Sequence, residues 1–333
     1  MRECTPSKRF FYRFLFFYLL VILGLIIYIP FTQPEYHILQ KSGSLTALIA
    51  QTLFGYTQNY IIVRLFFFFI ALSSLYILYE ISKEYLKKEY RYLALILYLL
   101  TPGVFVSFVI VNFALFPIFF SLLFVYAYLK RNIFMEVLAL VLLFFTDTPI
   151  FFFYFALSIF SFIKKEWIVF AIGVFLFSLS LVNMRDFISG VPKGHLVELF
   201  ISYAVLFSPF YFIALLYALY RLAKEKKYFV LWSISASFLI FSLLLSIRQK
   251  VHITQFAPFI VIFTPLLVYV FQESISIRLK RFQKWHIKVC QVVVATLLIE
   301  SGLIALSYPI YQFSDHKIKV INSRIYTINY LKK

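Results

Sequence analysis

Long runs of Phe, Leu, Ile and Val recur from one end of this chain to the other, with short polar patches between them. Strands of a membrane barrel would alternate apolar and polar positions over ~10 residues. These runs are longer and continuous, as in "FFYRFLFFYLLVILGLIIYIPF" (10–31). In lipid every backbone group must pair internally, which leaves helices as the structure for such runs. The pattern predicts about eleven spans, over 11–30, 59–80, 91–110, 113–129, 134–146, 148–163, 167–182, 197–220, 228–247, 253–271 and 289–310. Two of these, 134–146 and 148–163, are short for a ~30 Å hydrocarbon core and read as a broken or re-entrant pair. The segment "SLTALIAQTLFG" (44–55) spaces its apolar residues helically around Thr46, Gln51 and Thr52, which predicts an amphipathic helix along the interface. The expected class is an all-α polytopic membrane protein. Its transmembrane domain covers 1–311, its polar loop covers 31–58, and a short tail follows over 312–333, with no sizeable soluble domain.

Composition agrees with this class. The 333 residues are 63% hydrophobic and 14% charged, against roughly 45–50% and a quarter in soluble domains. The first run follows a basic start, "SKRFFYR", like a secretory signal. Its apolar core exceeds the usual ~7–15 residues and no A-x-A-like site follows, so it is expected to remain as an anchor helix.

The formal charge of +18 would suggest a nucleic-acid partner in a soluble protein. Here the basic residues fall between spans and report topology instead. Alternating the sides places 21 of the 32 Lys and Arg residues on one face, in the N-terminal segment, "SKEYLKKEYR", "KRN", "KKEW", "RLAKEKK" and "RLKRFQKWHIK". That bias puts the N-terminus in the cytoplasm and, with an odd number of spans, the tail outside. A Phe-, Ile-, Lys- and Tyr-rich composition suggests an AT-rich bacterial source, hence the inner membrane. Cys4 and Cys290 have no metal-ligand spacing and imply no disulfide framework.

Topology gathers the rare polar groups on the outer face: Glu35, His37, Lys41, Asp147, Arg185, Asp186, Lys193, His195, Glu198, Arg248, Lys250 and His252. No phosphate-binding Gly-rich loop, H-E-x-x-H, G-x-S-x-G or D-x-D occurs, so no cofactor and no metal is assigned. Nucleotides are cytoplasmic, so a substrate on the outer face must arrive through or along the membrane. A lipid-linked substrate fits.

In order along residues ~10–275, "TPGVFVSFVIVNFALFPIFFSLLFVYAYLKR", "DTPIFFFYF" and "RQKVHITQFAPFIVIFTPLLVYVF" resemble successive pieces of the GT-C membrane glycosyltransferases. The nearest branch holds the aminoarabinose transferases of lipid A and the protein O-mannosyltransferases. Within "QPEYHILQKSGSLTALIAQTLFGYTQNYIIVRL", Glu35 falls at the family's loop acid, Lys41 at the K of its K-P-P-L element, and Gly55 and Arg64 at "lfG…R". "KVHITQFAP" places Lys250 and Pro258 in a later element. The resemblance implies transfer of a sugar from a polyprenyl-phosphate donor to a lipid, glycan or protein acceptor at the outer face. It implies Glu35 as general base or as the group that orients the acceptor, and Lys41, Arg248 and Lys250 as the cations on the donor phosphate. Arg64, Arg185 and His252 join the substrate-binding set, and His37 orients the acceptor. The chemistry agrees, since a base must reach the acceptor hydroxyl and a leaving phosphate needs preorganised cations. The chain departs from the family at "PE", at "KSGSL", and at Phe113 and Ala114.

Each residue also has a plainer reading. Glu35 is a solvated loop acid, His37 an interfacial polar residue, and Lys41 and Lys250 snorkel from helix ends. Asp147 in "LLFFTDTPIFFF" is either the rival catalytic acid or a helix cap ahead of Thr148 and Pro149. Arg185 and Asp186 form an exposed pair, and Glu300 faces another helix. Two competing functions remain beside the transferase: a transporter or flippase for a lipid-linked glycan, and a catalytically silent scaffold.

Overall fold

The computed structural model describes residues 6–41, 43–146, 148–181, 194–227 and 229–307. Within them the chain forms helices and no strand. In chain order these are α1 (Lys8–Tyr28), α2 (Gln33–Gln40), α3 (Leu45–Thr57), α4 (Tyr60–Tyr85), α5 (Lys88–Leu100), α6 (Pro102–Val109), α7 (Leu115–Leu129) and α8 (Ile133–Phe144). They continue as α9 (Phe151–Lys164), α10 (Trp167–Ser180), α11 (Leu196–Phe207), α12 (Pro209–Lys224), α13 (Val230–Arg248), α14 (Ile253–Val261), α15 (Thr264–Ile277) and α16 (Lys280–Ala305). The helix expected over 44–55 forms as α3. The tail 312–333 lies outside the described residues.

Four helices, α1, α4, α13 and α16, are long and apolar enough to cross a membrane, and the number rises to seven if each of three bent pairs counts as one span. Helices α7, α8, α9 and α10 are apolar but shorter. At ~1.5 Å per residue, the 12 residues of α8 reach well short of a ~30 Å core. The expected count of about eleven is thus larger than the four to seven that length and apolarity establish.

Three expected continuous spans are bent, each beside a proline. The breaks lie between α5 and α6 (70°), α11 and α12 (106°), and α14 and α15 (48°). Each following helix carries Pro in its first two positions: Pro102, Pro209 and Pro265. Proline lacks an N–H and pushes the residue before it out of the helical region. Thr101 (ψ 122°) and Ser208 (φ 67°, ψ 137°) obey, and their bends are the sharper two. Thr264, the residue before Pro265, is already the first residue of α15, and that bend is the mildest.

Contacts between connections sort the charges to two ends of the bundle. At one end Lys130 pairs with Glu84 (2.8 Å), Glu225 binds Arg221 (2.8 Å) and Lys227 (3.1 Å), and the Lys87 N–H donates to Gln272 (3.0 Å). At the opposite end the Leu45 N–H donates to the Phe145 carbonyl (3.1 Å) and the His195 N–H to the Ser246 carbonyl (2.8 Å). The basic loops read from the sequence share the first end.

Aromatic stacking fills the interior, as between Phe238 and Phe259 (3.9 Å between centroids) and between Phe152 and Phe241 (4.3 Å). Four buried tyrosines place their hydroxyls against a polar group on another helix. Tyr98 meets Ser74 (3.0 Å), Tyr203 donates to Ser242 (2.9 Å), Tyr211 meets Thr264 (2.8 Å) and Tyr154 donates to the Leu140 carbonyl (2.7 Å). An unpaired hydroxyl in this setting would be costly.

Helices α9 and α10 approach closely at Gly173, where a Cβ would lie 2.9 Å from Ser158 Oγ and 3.5 Å from the Ser158 nitrogen. Small residues permit such approaches between apolar helices. Gly173→Ala is expected to push the Ser158 hydroxyl off the Tyr154 carbonyl it now binds (2.8 Å), and Gly173→Leu to part the two helices, costing about 1–3 kcal/mol. Thermal unfolding in detergent reads this out. A Leu variant melting with the wild type would remove the close approach from the account.

Candidate functional site

The site builds from the end of α1. Pro30 follows Ile29 and has no N–H, so the Ile26 carbonyl lacks its normal partner four residues on. Arg64 of α4 supplies the missing donors. Its Nη1 donates to the carbonyls of Ile26 (3.0 Å) and Ile29 (2.7 Å), and its Nη2 to that of Pro30 (2.9 Å). A cation at a helix C-terminus also complements the helix dipole. The remaining two N–H groups go to Glu35, Nε to Oε1 (2.7 Å) and Nη2 to Oε2 (2.6 Å). All five guanidinium donors are therefore used, and the Tyr60 ring lies 4.9 Å from the guanidinium carbon.

Glu35 sits in the first turn of α2, three residues after its N-cap Thr32, the spacing of a capping box. Its Oε2 accepts from the Thr32 N–H (3.0 Å) and hydroxyl (2.7 Å), and its Oε1 from the Val111 N–H (3.3 Å). Only 2% of Glu35 and 1% of Arg64 is exposed. The carboxylate, expected as a general base or a solvated loop acid, is instead sealed and saturated, because the α6–α7 connection closes over it. Neither Glu35 nor Arg64 presents an open position to a substrate. Their geometry holds α1, α2, α4 and the α6–α7 connection together.

The other sequence candidates fall into two groups at the same end. Lys41 closes α2, is exposed, and places Nζ 4.8 Å from the Phe113 ring centroid. Its carbonyl accepts from Gln51 of α3 (2.8 Å), which fixes α2 against α3. His37 is exposed one turn earlier, edge-on to Tyr36. In the second group Glu198, in the first turn of α11, binds both Lys250 and His195 Nδ1 (3.2 Å). Arg248 ends α13 and His252 precedes α14, both exposed. The structure joins Glu35 with Arg64, and Lys250 with Glu198 and His195. It gives Glu35 and Lys250 separate partners. Asp147 and Arg185, with Asp186 and Lys193, lie outside the described residues. The Leu45–Phe145 hydrogen bond ties the loop carrying Lys41 to the chain two residues before Asp147.

Sequence reading missed the Glu35–Arg64 pair, although Thr32-x-x-Glu35 was a legible half of it. It also missed a polar site at the basic end. There Tyr128 donates to Glu166 Oε1 (2.8 Å), Glu166 Oε2 is buried without a partner, and buried Glu136 lines the same cavity of about 610 Å³. The lone acid within "IFMEVLALVLLF" was its signal. Among the described residues no group of three or more His, Cys, Asp or Glu is placed to hold a metal ion. No family model matches the chain, and no curated protein or solved structure matches it.

Breaking a buried ion pair from one side costs about 3–5 kcal/mol, so Glu35→Gln and Arg64→Met are each expected to lower the melting temperature sharply. Arg64→Lys is expected to rescue little, because an ammonium brings three donors where five are used. The double variant Glu35→Gln/Arg64→Met removes both charges but strands the carbonyls of Ile26, Ile29 and Pro30. Wild-type stability in that double variant would show that capping α1 contributes nothing.

Proposed function

We propose that this chain is a membrane glycosyltransferase that moves a sugar from a polyprenyl-phosphate donor to a lipid, glycan or protein acceptor, at the bundle end opposite the basic loops. The proposal includes eleven crossings, with α7, α8, α9 and α10 each crossing once and each bent pair counted once. It also includes a bacterial inner membrane with the basic end in the cytoplasm, supported by the positive-inside bias. The ordered resemblance to the GT-C transferases supports the reaction class. The observation that carries the site is the Leu45–Phe145 hydrogen bond (3.1 Å), which draws the Lys41 loop to the end of α8, two residues before Asp147 in the sequence.

In this reading the roles shift. Glu35 and Arg64 position the loop, and Asp147 takes the part of general base. It accepts the proton of the acceptor hydroxyl as that oxygen attacks the anomeric carbon. The bond from that carbon to the phosphate oxygen breaks, and the phosphate leaves with the electron pair. Lys41, Lys250 and Arg248 stabilise the charge that develops on it, while His37 and His252 face the acceptor. Arg185 belongs to the same cationic set.

A second reading has its own observation. Three bent helix pairs are the kind of discontinuity seen in transporters, and a flippase for a lipid-linked glycan would use them. One experiment separates the two. Purified protein in detergent, with no gradient, is given a labelled polyprenyl-phosphate sugar and candidate acceptors. Transfer is expected, falling about 100-fold or more in Asp147→Asn with melting temperature unchanged. Lys41→Gln/Lys250→Gln is expected to lower kcat as well as raise the KM for donor. Translocation in proteoliposomes without any transfer in detergent would replace the transferase by the flippase.

A further inference from the structure

A groove of about 690 Å³ runs between α5, α12, α15 and α16 and shares no lining residue with the site above. Its walls are apolar, with Leu97, Ile213, Ala214, Leu267, Val289 and Val293 among them. Ile213 and Val289 are exposed along its open side, where a bilayer would lie. Its volume is within the ~300–1,000 Å³ of ordinary ligand pockets.

The groove is not apolar throughout. α15 reaches the basic end at its C-terminus and α16 departs from it, so Ser274, Arg278, His286 and Lys288 gather at the groove's basic end. Ser274 is already taken, accepting from Arg221. The other three are not. Among the described residues Arg278 and Lys288 have no ion-pair partner, and both are exposed. His286 stacks on Phe271 with rings 2° from parallel, and its Nδ1 is buried with no hydrogen-bond partner. The stretch 277–291, "IRLKRFQKWHIKVCQ", contains five Lys or Arg residues and no acid. Trp285 is exposed beside them, a residue suited to the headgroup layer.

We propose that this groove binds one anionic phospholipid of the leaflet at the basic end. An acyl chain lies along the apolar wall, and the phosphate is held by Arg278, Lys288 and His286. Charge complementarity selects the occupant, since basic pockets between membrane helices are suited to anionic headgroups. A zwitterionic lipid would bring its own cation against Arg278 and Lys288. The inference is independent of the proposed transferase activity, because it concerns the other end of the bundle and binding alone.

Detergent-purified full-length chain is titrated with phosphatidylglycerol or with phosphatidylcholine of the same acyl chains, and bound lipid is counted by native mass spectrometry. Phosphatidylglycerol is expected to be retained preferentially. Arg278→Gln/Lys288→Gln, on the surface, is expected to weaken that retention roughly tenfold or more. Lys164→Gln/Lys165→Gln removes two exposed cations elsewhere on the basic loops and is expected to change nothing. Ala214→Phe narrows the groove and is expected to reduce retention with both headgroup cations intact. Equal retention of the two lipids, or equal losses from the two charge pairs, would overturn the proposal by reducing it to general attraction to a basic protein. Displacement of phosphatidylglycerol by an equal concentration of polyprenyl phosphate would also overturn it, by assigning the groove to a different lipid.

Discussion

Arg64 carries five N–H groups into the interior, 1% exposed, and each must find an acceptor there. It finds three in the frayed end of α1 and two in Glu35. Pro30 created that need by withholding the N–H that would have closed the last turn of α1. Glu35 in turn satisfies α2 through Thr32 and the α6–α7 connection through Val111. One guanidinium and one carboxylate thereby fix where four separate pieces of chain meet. The loop from Phe31 to Gln58 takes its position from this junction, and so does whatever chemistry that loop supports.

Proline sets the second constraint. The interior offers long apolar surfaces that could pack at many angles. Pro102, Pro209 and Pro265 choose the places where the chain turns. Ser208 shows the cost of this, with a positive φ that a side-chain-bearing residue seldom adopts. It is buried, and its hydroxyl donates to Thr296 of α16 (3.2 Å), so the turn is held from outside as well as by the proline.

Much of the helical architecture was legible because lipid leaves so few choices. Continuous apolar runs gave the helices and their order, and the Lys and Arg bias matched the sorting of charge to one end. The bends were not read, although all three prolines were visible. Hydropathy runs straight through Pro102, Pro209 and Pro265, and apolarity says nothing of direction. The candidate site was legible only as a list of polar residues. Glu35 read as a general base or a solvated acid because its sequence neighbours are those of a loop. What buries it comes from Arg64, 29 residues on, and Val111, 76 residues on. Lys250 and Glu198 pair across 52 residues. Partnerships at such separations depend on helix packing, which local pattern does not encode. The capping spacing Thr32-x-x-Glu35 was the local exception.

The cap on α1 has a consequence for biogenesis. A ribosome delivers the chain in order, so α1 leaves it ahead of α4. Until α4 arrives, the carbonyls of Ile26, Ile29 and Pro30 must be satisfied by water at the membrane surface or within the translocon. Arg64 likewise enters with its charge unmatched unless Glu35 is already beside it. The end of α1 therefore has its full set of hydrogen bonds only when packed against α4.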